Sequence, residues 1–323
     1  MGHRERPVLL AAVEANHYTL SIAIKGEFNM NVYTEEIRCD TVAIRLDVRS
    51  EEEVPFILED MTFLNYRLGG AENKIGSGLP KADIIWNKDE SKKTITYKDS
   101  IVTLGGEWFE GEIQRILVSF IAGRLFANGR YLFHSSAVNY RGKNILFLGG
   151  EGNRGKSMSQ IETCKRGATI LSTETTVLDF NGNYIMGSQK VYLRKRAKGT
   201  ERIDKPNQDE GVAKFFDKDP DYALYKGEAN IDIVMMPDMD GNYATVSGMM
   251  SDYEKQYQTF HCLCDYFGMH ILLAPGFPMP MFDTEELRQK RADFINNFTK
   301  TRPYVYVRCA KPENLIDELE KHL

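Results

Sequence analysis

The sequence predicts a mixed α/β (α+β) fold, with a β-rich N-terminal domain over residues 1–106 and an α/β domain with a mixed sheet and flanking helices over residues 107–323. Short stretches that alternate apolar and polar residues dominate the N-terminal part, as in strands with one buried face. Further along, stretches with apolar spacings of three and four alternate with short apolar runs. A length of 323 residues suits two ordinary domains.

The N-terminal domain is expected to consist of strands joined by turns. Glycine-containing breaks separate its alternating stretches, which lie at 18–26, 42–48, 82–88 and 93–106. None of these stretches carries a catalytic motif, so we expect the chemistry of the protein to belong to the second domain.

A helix is predicted over 107–128, where the second domain begins. Its apolar residues have the spacing of an amphipathic helix, and they are Ile113, Ile116, Leu117, Phe120, Ile121 and Leu125. Asn128-Gly129 then supplies a C-terminal stop signal. We expect this helix to join the two domains.

The segment after this helix alternates strands and helices around a glycine-rich turn. YLFHSSAVNY (131–140) predicts a strand, and NILFLGG (144–150) predicts a buried strand. A helix is predicted over 157–166 and a strand over 168–180. Asn181-Gly182 then gives a strong hairpin signal.

The C-terminal part continues this alternation. The patterns predict a strand over 228–236, helices over 251–267 and 284–299, a strand over 303–309 and a final short helix over 312–323. The region 195–225 is rich in charge, Pro and Gly and has no periodic pattern. We expect it to be a mobile loop over an active site.

Charge and composition argue against several classes of function. The net charge is −5, the pI is about 5.8, and basic residues are dispersed except for Arg194-Lys195-Arg196. Because nucleic-acid binders usually carry a basic face, we expect no nucleic-acid partner. No apolar run approaches the roughly 20 residues that span a bilayer, and Glu14 interrupts the short apolar stretch near the N-terminus. We therefore expect no membrane partner and a cytoplasmic location.

The cysteines predict reduced thiols. There are five of them, an odd number, spread widely along the chain. The sequence His261-Cys262-Leu263-Cys264 suggests a metal site at first sight. In a helix over 251–267, however, Cys262 and Cys264 would point about 200° apart and could not share one metal ion. We expect no metal there.

Residues 150–157, GEGNRGKS, match the G-x-x-x-x-G-K-[ST] pattern of a phosphate-binding P-loop. The match lies where a P-loop belongs, after the apolar strand ILFLG and before the helix-compatible run SMSQIETCKRG. The residues expected to contact a bound nucleotide are Gly150, Gly152, Asn153, Arg154, Gly155, Lys156, Ser157 and Met158.

Each residue type in this loop has a physical reason. Glycines let backbone N–H groups converge on phosphates without Cβ obstruction, and the helix N-terminus adds partial positive charge. Lys156 reaches the β- and γ-phosphates, and the Ser157 hydroxyl binds Mg²⁺. The sequence therefore predicts a nucleoside triphosphate and Mg²⁺ as ligands.

An acidic group is also expected near a P-loop, to bind the metal or to activate a nucleophile. Glu174, Asp179 and Asp232 are the candidates. Glu174 lies among hydroxyl residues that would order it, although a solvated edge-strand position is the alternative. Asp179 precedes Asn181-Gly182 and is better explained as a turn residue.

Residues 131–180 resemble the catalytic domain of the HPr kinase/phosphorylase family, which is related to phosphoenolpyruvate carboxykinase-type P-loops. The matching features are His134-Ser135, Gly142, the strand ILFLG, the P-loop, Arg166-Gly167 and LSTETTVLD. The helix over 107–128 suits the HPr-kinase-related branch, whose members carry a different N-terminal region.

The resemblance implies a kinase that uses ATP and Mg²⁺ to phosphorylate a hydroxyl group of a protein, a peptide or a small molecule. The acidic pair of the family aligns with Thr173 and Glu174, so Glu174 alone would serve as base and metal ligand. His134 would support it, with a core histidine satisfied by a backbone carbonyl as the alternative. Arg154 replaces a small residue and would stabilise charge beside the phosphates.

Three functions follow from these features. The main one is a kinase with Lys156, Arg154, Glu174 and His134 as catalytic residues, acting on a metabolite or a peptide because no HPr-binding signature follows the P-loop. The alternative is a nucleotide-binding regulator or pseudo-kinase, suggested by the missing acid at Thr173. A third is a nucleotide hydrolase coupled to assembly. The sequence leaves the choice of nucleotide and a homo-oligomeric state open.

Overall fold

The structure is a computed structural model that describes residues 30–149, 154–193, 212–215, 222–239, 244–267 and 272–323. Two compact units form within it. The first comprises the described residues up to Arg38, Ala43–Glu59 and Glu72–Glu110, and the second comprises Cys39–Val42, Asp60–Ala71 and Gly111–Leu323. The mixed α/β class expected from the sequence is confirmed.

The first unit is built on a six-stranded mixed sheet. Its strands are β1 (Asn31–Cys39), β2 (Val42–Ser50), β3 (Glu72–Ile75), β4 (Ile84–Asn87), β5 (Thr94–Lys98) and β6 (Ile101–Gly105). Their order in the sheet is β3-β1-β2-β4-β6-β5. β2, β4 and β6 run parallel, and the outer strands β3 and β5 pair antiparallel.

Alternating apolar residues bury one face of this sheet, as the pattern predicts. Ile44, Leu46, Ile84, Val102 and Leu104 are all at most 1% exposed. Two tryptophans of this unit satisfy their indole N–H groups on the backbone, since Trp86 donates to the carbonyl of Gly106 and Trp108 donates to that of Gly105.

The second unit contains the remaining elements. Its helices are α1 (Thr62–Arg67), α2 (Glu110–Ala127), α3 (Lys156–Lys165), α4 (Asp252–Cys264), α5 (Glu285–Lys300) and α6 (Pro312–Glu320). Its strands are β7 (Tyr131–Tyr140), β8 (Lys143–Leu148), β9 (Thr169–Ser172), β10 (Thr175–Leu178), β11 (Tyr184–Gly187), β12 (Lys190–Leu193), β13 (Val212–Phe215), β14 (Ile233–Met239), β15 (Val246–Met249), β16 (Leu272–Ala274), β17 (Phe277–Pro278) and β18 (Tyr304–Cys309).

An eight-stranded mixed sheet organises this unit, with the order β11-β10-β7-β8-β14-β18-β15 and with β9 paired to β7. β8, β14 and β18 are parallel, whereas the strands on either side run antiparallel to their neighbours. The carboxyl ends of β8 and β14 therefore meet at one edge of the sheet. In α/β sheets this edge is where ligands usually bind.

Helices cover both faces of the sheet. On β18, Val305 and Val307 pack into a buried cluster with Leu315 and Ile316 of α6. Tyr304 lies on the opposite face. Its ring centre is 6.4 Å from that of Phe298 in α5, and its hydroxyl is hydrogen-bonded to the Thr259 hydroxyl of α4. The predicted helices over 251–267, 284–299 and 312–323 are confirmed as α4, α5 and α6, with a 3-10 turn at Asp265–Phe267 ending the first.

The helix over 107–128 is confirmed as α2. The prediction that it is amphipathic is wrong. Twelve of its eighteen residues are buried, including Gln114 and Ser119. Gln114 donates from its amide to the carbonyl of Asp60, which lets a polar residue sit on a buried face. The stop signal is confirmed, since Gly129 takes a φ of +72° and Asn128 bonds back to Arg124.

Other expectations differ in their bounds. The strand predicted over 168–180 is two strands, β9 and β10, separated by a turn at Thr173–Glu174. The strand predicted over 228–236 begins only at Ile233, because the residues before it pair with another segment: Asn230 forms a bridge with Asn183, and Ile231 N donates to the Gly182 carbonyl. β1, α1 and β3 are additional elements. β13 lies within the region expected to be a loop.

Several expectations lie outside the described residues, namely the strand at 18–26, the basic cluster 194–196 and most of the loop 195–225. In the described part of the chain, none of the helices combines the length and the apolar character that crossing a membrane requires.

Candidate functional site

The described end of the P-loop leads directly into α3. β8 ends at Leu148, and α3 begins at Lys156 with Gly155 as its N-cap. Gly155 has a φ of +102°, and a Cβ there would lie 2.8 Å from two side-chain atoms of Met239. Only glycine fits this position without strain. Gly150, Gly152 and Asn153 lie outside the described residues.

The Lys156 side chain folds back toward Gly149, the residue after β8. Its side chain is buried, and Nζ donates to the Gly149 carbonyl at 2.7 Å. Burial lowers the pKa of Lys156, and the negative charge of Glu174 opposes part of that decrease. Ser157 is half-buried in the first turn of α3, while Met158 is 48% exposed.

Pairing of β7 with β10 brings His134 to Glu174. Thr175 lies opposite His134 in the antiparallel register, and Ser135 N donates to the Glu174 carbonyl at 3.1 Å. His134 Nε2 is then 2.9 Å from Glu174 Oε1. The side chains are 13% and 12% exposed, so neither the solvated Glu174 nor the carbonyl-bonded His134 considered as alternatives is present.

Arg67 and Asp265 complete this group. Arg67, at the end of α1, places Nη2 2.8 Å from Asp265 Oδ2 and Nη1 3.6 Å from Glu174 Oε1. His134 Nδ1 is buried, and it lies 3.3 Å from Asp265 Oδ2, outside hydrogen-bond geometry. Arg67, His134, Glu174 and Asp265 thus form a closed ring of charges, which we call the carboxylate ring.

The ring keeps both of its carboxylates ionised. Burial alone would raise the pKa of Glu174, but the hydrogen bond and charge of His134, with Lys156 and Arg67, lower that pKa to about 2. Burial would raise the pKa of Asp265 too, but His134 and Arg67 hold that pKa well below its ordinary range. Burial and Lys156 lower the pKa of His134, yet the two carboxylates outweigh them and raise it.

A layer of hydroxyl and carbonyl groups lies beside the ring. The Thr175 hydroxyl contacts both the Arg67 carbonyl and the Tyr266 hydroxyl at 2.5 Å. Tyr266 donates to the Phe133 carbonyl at 3.3 Å, and the Arg67 guanidinium lies 5.2 Å from the Tyr266 ring centre. These contacts fix the backbone of Arg67 itself and the residues next to His134, Glu174 and Asp265.

A second charged group lies at the carboxyl end of β14. Asp238 is fully buried and accepts hydrogen bonds from Arg308 at 2.7 to 2.8 Å and from the Tyr306 hydroxyl at 2.9 Å. Arg154 places Nη1 3.7 Å from Asp238 Oδ1, and Met239 N donates to the Arg154 carbonyl. The guanidinium expected beside the phosphates is thus held by a strand-end carboxylate.

The other candidate acids have structural roles. Asp179 is the turn residue that its position predicts, because its carboxylate accepts from the backbone of Asn181 and Asn183. Asp232 is wrong as a phosphate-side acid, since it bonds to Asn144 at the start of β8, the end remote from the P-loop. Thr173 is buried and donates to the Ser188 carbonyl at 3.0 Å.

The residues suit Mg²⁺ in the way that P-loops do. No group of three or more His, Cys, Asp or Glu in the described residues has metal-binding geometry. Mg²⁺ needs only one or two protein ligands beside phosphate and water oxygens. Glu174 can supply such a ligand, because its pKa of about 2 keeps the carboxylate ionised.

The sequence does not predict Arg67, Asp265 or Asp238. Asp238 has a usable signal, because it ends the apolar run IVMMPD in the way that strand-end acids do. Asp265 interrupts the apolar segment after Cys264, which is a weaker signal. Arg67 has none, since nothing near it in sequence indicates a partner 107 positions away, at Glu174.

Comparison of the chain with models of known protein families and with curated proteins finds no match. The similarity of residues 131–180 to HPr kinase therefore stays a prediction.

Proposed function

We propose that the protein is an ATP- and Mg²⁺-dependent kinase of the HPr kinase-like type, which phosphorylates a hydroxyl group of a small metabolite or of a seryl residue. The observation that carries the proposal is the position of Glu174. Its carboxylate lies 2.9 Å from His134 Nε2 and 3.6 Å from Arg67 Nη1, within electrostatic reach of Lys156, the P-loop lysine. A carboxylate so placed can orient a hydroxyl nucleophile. A cytoplasmic location belongs to the same proposal.

The P-loop side of the site handles the phosphates. Backbone N–H groups at the start of α3 and the Lys156 ammonium neutralise the charge of the transferring phosphoryl group. For this, Lys156 Nζ leaves the Gly149 carbonyl that it contacts at 2.7 Å. Ser157 and Glu174 would hold Mg²⁺, which would neutralise phosphate charge when bound. Arg154 adds a second cation at the same edge.

Glu174 handles the acceptor. The acceptor oxygen forms a bond to the γ-phosphorus while the bond from that phosphorus to the bridging oxygen of ADP breaks, and the hydroxyl proton passes to the carboxylate. A pKa of about 2 makes Glu174 a weak base. Phosphoryl transfer tolerates this, because its loose transition state depends on positioning and charge more than on proton removal.

A nucleotide-binding regulator without phosphoryl transfer is the second candidate. The observation that favours it is the pairing of Glu174 Oε1 with both His134 and Arg67. A carboxylate stabilised in this way accepts a proton from the substrate only at a cost in free energy. A kinase has to meet that cost, whereas a protein that only binds nucleotide does not.

The experiment that tests the proposal is transfer of labelled γ-phosphate from ATP with Mg²⁺ to fractionated metabolites and to a seryl-peptide library. We expect a labelled acceptor, and we expect Glu174→Gln to slow its formation about a hundredfold or more. Glu286→Gln, on the exposed face of α5, is the matched control and should change nothing.

The other outcomes separate the rivals. Tight Mg²⁺-dependent ATP binding without transfer to any fraction supports the regulator and contradicts the kinase. Steady phosphate release without an acceptor, at a rate that depends on oligomeric state, supports the hydrolase.

A further inference from the structure

Asp265 touches two members of the site but has no part in the chemistry described so far. It ends α4, and its Oδ2 lies 2.8 Å from Arg67 Nη2 and 3.3 Å from His134 Nδ1. Glu174 mirrors this arrangement through Oε1, on the other ring nitrogen and the other guanidinium nitrogen. His134 and Arg67 are thus each held between the same two carboxylates.

This symmetry exceeds what a simple ion pair needs. An ion pair that anchors the end of α4 would require only the Arg67–Asp265 contact. Asp265 also places its negative charge 3.3 Å from His134 Nδ1, the imidazole nitrogen that does not face Glu174. From there the Asp265 carboxylate attracts the imidazole by charge, while its hydrogen bond to Arg67 at 2.8 Å holds the guanidinium that also faces Glu174.

The neighbouring hydroxyl layer indicates that this geometry is built into the fold. Tyr266, the residue after Asp265, meets Thr175, the residue after Glu174, through their hydroxyls. Tyr266 also donates to the carbonyl of Phe133, the residue before His134. The spacing of the three segments is therefore set by buried hydrogen bonds that are independent of the charges.

We propose that Asp265 is a positioning residue of the site, which acts through His134 and Arg67 to hold Glu174 toward the acceptor and the P-loop. The inference rests on the proposed function for the role of Glu174. It gives the site a second carboxylate, contributed by the end of α4, although position 173 carries threonine.

The test compares Asp265→Asn with two matched variants. Asp252→Asn removes a 90% exposed carboxylate from the other end of the same helix, and Asp265→Glu keeps the charge. In the transfer assay, Asp265→Asn should lower kcat about tenfold or more with the KM for ATP unchanged, because it acts on orientation and not on nucleotide binding. Asp265→Glu should recover part of the rate, and Asp252→Asn should match the wild type.

A second readout does not depend on catalysis. Titration of the histidine side chains by NMR, with the His134 signal assigned through His134→Gln, measures the charge environment of the ring directly. Asp265→Asn should lower the titration midpoint of His134 by about one pH unit or more, because one of its two carboxylates is gone. Asp252→Asn should leave it in place. If Asp265→Asn fails to fold, Asp265→Ser gives the same two measurements.

The two readouts separate the claims. Absence of transfer in the wild type overturns the proposed function, while the shift of His134 still shows whether Asp265 holds the imidazole. An unchanged midpoint together with an unchanged kcat in Asp265→Asn overturns the role of Asp265. A matching loss in Asp252→Asn overturns it as well, since that result would assign the effect to helix charge.

Discussion

Replacing Glu174 with glutamine tests whether the carboxylate ring stabilises the protein as its geometry requires. The ring lowers the pKa of Glu174 from its ordinary value of 4.5 to about 2. One pKa unit corresponds to about 1.4 kcal/mol, so ionised Glu174 contributes about 3 kcal/mol to folding at neutral pH. The side chain is only 12% exposed, so solvent screening removes little of this. Glu174→Gln should lose an amount of that order.

The sign of the pH dependence follows from the direction of the shift. Because the pKa of Glu174 is lower in the folded than in the unfolded protein, its contribution is complete above pH 4.5 and disappears as the pH falls toward 2. At pH 3.5 about 2 kcal/mol should remain. The difference in unfolding free energy between wild type and Glu174→Gln should therefore narrow by about 1 kcal/mol between pH 7 and pH 3.5.

Urea denaturation at both pH values measures this difference. Glu286→Gln, which removes a 76% exposed carboxylate from α5, is the control and should stay within about 0.5 kcal/mol of wild type. A loss below about 1 kcal/mol for Glu174→Gln at pH 7, or a loss that does not narrow at pH 3.5, would refute the role given to the ring.

Three other substitutions test separate parts of the account. Gly155→Ala should destabilise the protein by about 1–3 kcal/mol and weaken ATP binding, since the φ of +102° and the contact with Met239 both oppose a Cβ. Scanning calorimetry measures the loss of stability, and titration calorimetry with ATP measures the loss of affinity. Tyr266→Phe should cost about 1–2 kcal/mol in urea denaturation, because the Thr175 hydroxyl and the Phe133 carbonyl lose a partner. Gly182→Ala should lower stability by about 2 kcal/mol, because the new Cβ would meet Arg302 at a residue whose φ is +82°; a thermal melt within error of wild type would contradict it.

Elements with complete local signals are predicted well from this sequence. α3 follows from a glycine-rich turn and a helix-compatible run, and the β10–β11 hairpin follows from Asn181-Gly182. These signals are local in origin, because φ preferences and helix capping act over a few residues. The mixed α/β class follows from the same short-range periodicities.

Features that depend on tertiary contacts are not predicted. Six apolar residues of α2 have the spacing of one face, yet Gln114 and Ser119 are buried too. Burial of polar residues depends on a partner elsewhere, in the case of Gln114 the carbonyl of Asp60. The break between β9 and β10 likewise depends on Ser188, which accepts from Thr173 across the turn.

The candidate site divides in the same way. Lys156, His134 and Glu174 lie on a contiguous stretch whose motifs can be read in order, and the structure brings them within electrostatic reach of one another. Arg67 and Asp265 come from segments far away in sequence, and only the fold brings them to Glu174. A motif indicates which chemistry is present, whereas the groups that tune the pKa of its residues come from the whole unit.

ATP binding tests the central claim most directly. Isothermal titration of the full chain with ATP and Mg²⁺ should show one site, and Lys156→Ala should weaken it about ten- to a hundredfold, the range for losing a charged hydrogen bond. Lys165→Ala, at the exposed end of the same helix, should bind as the wild type does. Equal affinity in wild type and Lys156→Ala, or no binding by the wild type, would contradict the assignment of residues 150–157 as a P-loop.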